Sequence, residues 1–160
     1  MAASAKVKGG KAWKKTLSLY VAGADAELRV GILEGATYSG EAGKAGLPVA
    51  VVGAAHEFGT KDIPARSFLR STLAKKKEEW IRLMALYLRA NPGKIRDAFA
   101  LLGETAAKDI QAAIEAGLKP ALKPATVLRK LKRKGKKGSP DLPLVDTGTL
   151  QEAISYEVKP

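Results

Sequence analysis

Residues 49–70 read VAVVGAAHEFGTKDIPARSFLR, and the parsing of this stretch decides the fold. Pro48, just ahead of it, suits the first position of a helix, where its fixed φ is helical and its missing N–H has no partner to lose. Gly59, just after Phe58, suits a left-handed stop. Val49, Val52, Ala55 or His56 and Phe58 then share one helical face. Val49 to Val52 also fits a buried strand, and the alanines favour the helix. Thr60 to Arg66 reads as a tight connection set by Pro64. Ser67 is placed to cap a long helix, Phe68 to Arg89, in which Leu69, Leu73, Trp80, Met84 and Tyr87 or Leu88 form an apolar stripe. Its other face, Lys75-Lys76-Lys77-Glu78-Glu79, is a solvated one.

Working outward toward the C-terminus, Asn91-Pro92-Gly93 breaks that helix. A second one is expected from about Lys94 to Ala116, with Ile95, Phe99, Leu102, Ala106, Ile110 and Ala113 in register and Gly117 as its stop. Two long helices joined by so short a break pack antiparallel, and their remaining apolar surface needs a sheet to cover it. Leu28, Val30 and Ile32 alternate with polar residues or glycine, as do Ile154, Tyr156 and Val158 near the other end of the chain. Each is the period of a strand with one buried face, and pairing the two closes the sheet. The fold class expected is therefore α+β: a small antiparallel sheet packed against two long antiparallel helices, as a single domain over residues 1–160. Residues 1–10 are expected to be a mobile tail, followed by a short helix from Lys11 to Gly23. Residues 34–46, rich in glycine, read as a long surface loop or loose hairpin.

Charge is concentrated. The formal net charge is +12, yet residues 1–15 hold five lysines and no acid, residues 119–137 hold nine Lys or Arg and no acid, and the remainder sums to −2. The nine are Lys119, Lys123, Arg129, Lys130, Lys132, Arg133, Lys134, Lys136 and Lys137. With prolines at 120, 124 and 140, residues 119–142 read as an extended basic arm. Pro124 offers a start for a short helix, but its charge would need a partner. Such an arm suits DNA phosphates, an acidic protein groove or plain solvation, and it lacks aromatics for stacking on single strands. The longest strongly apolar stretch, Leu47 to Ala55, falls short of the roughly 18 residues of a membrane span. A soluble chain without membrane partner or secretory signal is expected. The absence of cysteine agrees with a reducing compartment or with an assembly stabilised by other means.

Asp146-Thr147-Gly148 matches the triplet of retroviral-type aspartic proteases, but twelve residues follow Gly148, too few for the flap and dimer sheet such enzymes build. Helix-cap chemistry is the better reading: Asp146 or Thr147 accepting backbone N–H groups, with Thr149 and Glu152 at capping-box spacing. His56 is the sole histidine and has no cysteine to join it at a metal, so a structural or interface role is expected. Residues 35–46 have glycines without the spacing of a phosphate loop. No catalytic residue, cofactor or metal is expected, and the chain does not read as an enzyme.

The blocks VGILEGATY, VAVVGAAHEFGT, IPARSFLR, KPATVLRKLKRKG and PLVDTGTLQEAISYEV, in that order from Arg29 to Val158, resemble the virion-morphogenesis or tail-completion (neck) proteins of tailed bacteriophages, the Mu-like and lambda-like head-to-tail joining family. His56 stands where that family usually has Asn, and Pro64-Ala65-Arg66-Ser67-Phe68 where it has Pro-Pro-Arg-Pro-Phe. The resemblance implies a structural virion protein at the neck, made in the host cytoplasm and assembling as a ring, plausibly of six copies, with other neck and tail proteins. It places assembly contacts at Glu57, Phe58, Arg66, Phe68 and Arg70, and lets the basic arm face DNA in the lumen. The alternative is a nucleic-acid-binding protein contacting phosphates through residues 119–138.

Overall fold

The computed structural model describes residues 25–39, 45–132 and 139–160. The expected N-terminal tail and helix, the middle of the glycine-rich loop, and Arg133, Lys134, Lys136 and Lys137 lie outside these. In chain order the elements are β1 (Glu27–Ile32), α1 (Val49–Phe58), α2 (Leu69–Ala90), α3 (Ile95–Glu115), α4 (Pro124–Leu131), α5 (Thr149–Glu152) and β2 (Ile154–Lys159).

The fold is α+β. β1 and β2 pair antiparallel with Leu28 opposite Val158, Val30 opposite Tyr156 and Ile32 opposite Ile154. The alternation read in each strand thus places apolar side chains directly across from one another, which is what makes this register preferable to a one-residue slip. α3 lies on both strands, and α2 lies on α3. Trp80 of α2 donates to Asp109 of α3 at 2.7 Å, joining the two helices across the Asn91–Lys94 turn as an antiparallel pair allows.

α3 approaches the sheet closely because four of its six buried positions are alanine or glycine. Ala98, Gly103, Ala106, Ala107, Ile110 and Ile114 are buried, while Ile95, Phe99, Leu102 and Ala113, expected in the stripe, are half-buried. Ile95, Phe99 and Leu102 thus lie outside the buried set, and the alanines and glycine within it allow close approach to the two strands. Gly103 is the closest point: a Cβ there would overlap the Tyr156 ring and stand 2.9 Å from Leu28 Cδ1. Phe68, Ala107, Ile110, Ile114 and Ile154 form the main core, with Val30, Ile32 and Leu69 packed against it. A second cluster of Tyr38, Val49 and Leu150 joins α1 and α5 to the base of the loop. That base is a hairpin, with Tyr38 N–H donating to Leu47 O at 3.0 Å and Gly46 N–H to Tyr38 O at 2.9 Å.

Three expectations are corrected. Residues 119–142 are not extended throughout, because Pro124 to Leu131 form a helix with Pro124 in its first turn. Pro48 stands one place before its helix rather than in its first position. The long helix begins at Leu69, with Phe68 as the residue before it, and Ser67 is not its principal cap. No helix among the described residues is long and apolar enough to cross a membrane.

Candidate functional site

The corner between α1 and α2 is organised by one carboxylate. Glu57, in the last turn of α1, is 1 % exposed. Its Oε2 accepts the backbone N–H groups of Phe68 at 2.7 Å and Leu69 at 2.9 Å, and its Oε1 accepts those of Arg70 at 3.1 Å, the Ser67 hydroxyl at 2.6 Å and Arg70 Nε at 2.9 Å. The first N–H groups of a helix have no partner within it, and the helix dipole favours negative charge there. Glu57 supplies both needs from a different helix. Burial by itself would raise its pKa, but the Ser67, Leu69 and Arg70 bonds outweigh that and hold the carboxyl at about 2. Ser67 contributes secondarily, its Oγ accepting Ser71 N–H at 3.2 Å.

The path from Glu57 to Ser67 is kept short by Gly59 and Arg66. Gly59 sits at φ 77°, and a Cβ there would stand 2.8 Å from the backbone nitrogen of Ala65, so both conformation and space require glycine. Arg66 is 5 % exposed; its N–H donates to His56 O at 2.7 Å and its Nε to Pro120 O at 2.7 Å, with Nη2 to Ala121 O at 3.2 Å. Among the described residues no carboxylate pairs with it. Burial accordingly pushes its pKa down, and carbonyl dipoles take the place of a counter-charge.

Of the five residues expected at assembly contacts, the structure brings all to this corner but sends them to opposite sides. Glu57, Arg66 and Phe68 are interior, Phe68 being fully buried, so the expectation that they touch a neighbour is corrected: they hold the chain together. Phe58 and Arg70 are on the outside. Phe58 is 66 % exposed, and the Arg70 guanidinium lies over its ring at 4.6 Å from the centroid. Arg70 Nη2 also donates to Glu57 O at 2.9 Å, which fixes the cation in place over the ring.

The basic segment divides in the same manner. Lys119, Lys123, Arg129 and Lys132 are exposed. Lys130, assigned with them to DNA or an acidic partner, is half-buried and turned inward. Its ammonium donates to the carbonyls of Ser139 at 2.9 Å, Leu142 at 2.9 Å and Val145 at 2.7 Å. This is the partner that the charge of α4 needed, and it fastens residues 139–145 to the helix. Leu144, between two of those carbonyls, has φ 66°, a conformation that disfavours a side-chain-bearing residue by about 1–2 kcal/mol.

At Asp146-Thr147-Gly148 the cap reading holds in part. Thr147 Oγ1 accepts Thr149 N–H at 3.4 Å, while Gly148, at φ 87°, precedes α5 and its carbonyl accepts Glu152 N–H at 2.9 Å. Thr149 is inside the helix, so the capping box with Glu152 is not formed. Asp146, Thr147, His56 and Tyr38 all border a cavity of about 550 Å3 between α1, α4 and the 144–150 segment. Sequence reading did not foresee it, since its walls come from four separated stretches. Tyr38 has its pKa raised by burial and then by the charge of Asp146. Among the described residues no group of His, Cys, Asp and Glu could hold a metal ion.

No family model matches the chain, and neither a curated protein nor a solved structure matches it.

Proposed function

We propose that the chain is a non-enzymatic structural subunit of a tailed-phage neck, joining tail to head as a member of a ring, with the outer side of the α1–α2 corner as a contact between subunits. The observation that carries this reading is the meeting of the two sequence blocks, HEFG and PARSFLR, in one locked corner. Glu57 from the first block ties down Phe68 to Arg70 of the second. The corner leaves Phe58 and Arg70 outside as a preorganised aromatic–cation pair. Exposed aromatic and arginine side chains held rigid are the residues that carry most binding energy at protein interfaces. Rings require one rigid patch that meets a different patch on the next copy, and a corner made of two helix ends supplies a fixed angle for it.

Deleting the gene from the phage should leave unjoined heads and tails; normal infectious particles without it would overturn the reading. The second reading, a nucleic-acid-binding protein, is favoured by the exposed Lys119, Lys123, Arg129 and Lys132. It predicts duplex binding that weakens steeply with salt and with alanines at those four positions.

A further inference from the structure

We propose that the cavity between α1, α4 and residues 144–150 is a docking site for an acidic peptide segment of a partner protein, one carrying an apolar side chain between its carboxylates. This goes beyond the neck assignment and does not depend on it. The volume of about 550 Å3 is that of a ligand site and has room for several side chains. Its walls are mainly apolar, with Val52, Leu122, Leu144 and Leu150 among them. Arg129 and Lys132 border the same cavity, are exposed, and have no ion-pair partner among the described residues. With Lys130 these cations outnumber the one carboxylate of the lining, Asp146, so the cavity favours anions while its walls favour hydrocarbon.

The apolar walls select a peptide over a nucleic acid, whose chain carries no aliphatic side chain to place against Val52, Leu122, Leu144 and Leu150. The wall is also held in shape. Leu144 takes its positive φ between carbonyls of Leu142 and Val145 that both accept from Lys130. Strain of this kind persists where the surroundings over-determine it, and it concentrates at binding sites.

The test is amide chemical-shift mapping on the full isotope-labelled chain, titrated with a short blocked peptide of alternating aspartate and leucine. A peptide of aspartate alone, one of alternating lysine and leucine, and a short DNA duplex are compared with it. Expected are shifts at Thr126 and from Thr147 to Leu150 with the aspartate–leucine peptide, and binding at least about tenfold weaker with the other two peptides. Arg129→Glu with Lys132→Glu, both at exposed positions, should weaken the affinity by about tenfold or more. Thr126→Trp should block the cavity while the charge of its mouth is unchanged. Absence of shifts, equal binding of the all-aspartate peptide, or insensitivity to both variants would overturn the proposal. Tighter binding of the duplex at the same amides would overturn it in favour of nucleic acid.

Discussion

Glu57 and Phe68 are sealed from solvent together, the carboxylate of one accepting the backbone N–H of the other at 2.7 Å across eleven positions of chain. A charge at the end of one helix thereby serves as the start of the next. The arrangement ties the angle between α1 and α2 to a buried carboxylate as well as to the connecting loop.

Acid should loosen this corner. The Glu57 carboxyl lies at about 2 in the folded chain against an ordinary 4.5. Its contribution is therefore complete above about pH 4.5 and is lost as pH falls from there toward 2. The difference corresponds to something on the order of 3 kcal/mol. Thermal melting as a function of pH should show the decline, and Glu57→Gln should flatten it. An unchanged acid limb in that variant would mean that other carboxylates govern acid unfolding.

At neutral pH Glu57→Ala should cost about 3–5 kcal/mol, because three backbone N–H groups and the Arg70 side chain lose their acceptor in a buried site. Chemical denaturation would measure it. A loss below about 1 kcal/mol would show that water replaces the carboxylate.

Phe58→Ser should separate stability from assembly. At 66 % exposure the ring contributes little to folding, and a change within about 1 kcal/mol is expected. Sedimentation should nonetheless show the oligomer weakened by about tenfold or more if the corner is a subunit contact. Unaltered assembly would move the contact elsewhere.

Lys130→Met should destabilise the chain by about 2–3 kcal/mol, since three carbonyls lose one shared donor. Hydrogen exchange and proteolysis should rise within 139–145 before they rise in α3. Lys130→Arg should not restore protection, as a planar fork cannot direct its donors to three converging carbonyls as an ammonium does.

Gly103→Ala should cost about 1–3 kcal/mol, because the added methyl enters the space of the Tyr156 ring. Pairing it with Tyr156→Ala should cost less than the sum of the two separately, by denaturation measured as a double-mutant cycle.

Much of the fold is legible in one dimension. The alternation of Leu28, Val30 and Ile32, and of Ile154, Tyr156 and Val158, states which side chains share a face, and it leads to the register that the strands adopt. The helices are legible from apolar spacing and from the breaks at Gly59 and Asn91-Pro92-Gly93, to within a residue or two. Less of the candidate site could be read. Nothing local distinguishes Lys130 from Arg129 beside it, or Arg66 from Arg70, yet Lys130 and Arg66 are turned inward onto carbonyls while Arg129 and Arg70 are exposed.

The sequence by itself determined the α+β class, the pairing of its two strands, the helical pair and the concentration of positive charge in two stretches. All of these follow from periodicity and composition, which are properties of neighbouring residues. Tertiary structure alone decided which charges are internal. A cation or carboxylate can leave water only where distant backbone groups converge to replace its hydration: Pro120 and Ala121 for Arg66, residues 139 to 145 for Lys130, and the opening turn of α2 for Glu57. Convergence of that kind belongs to the folded chain and has no signature in residue spacing.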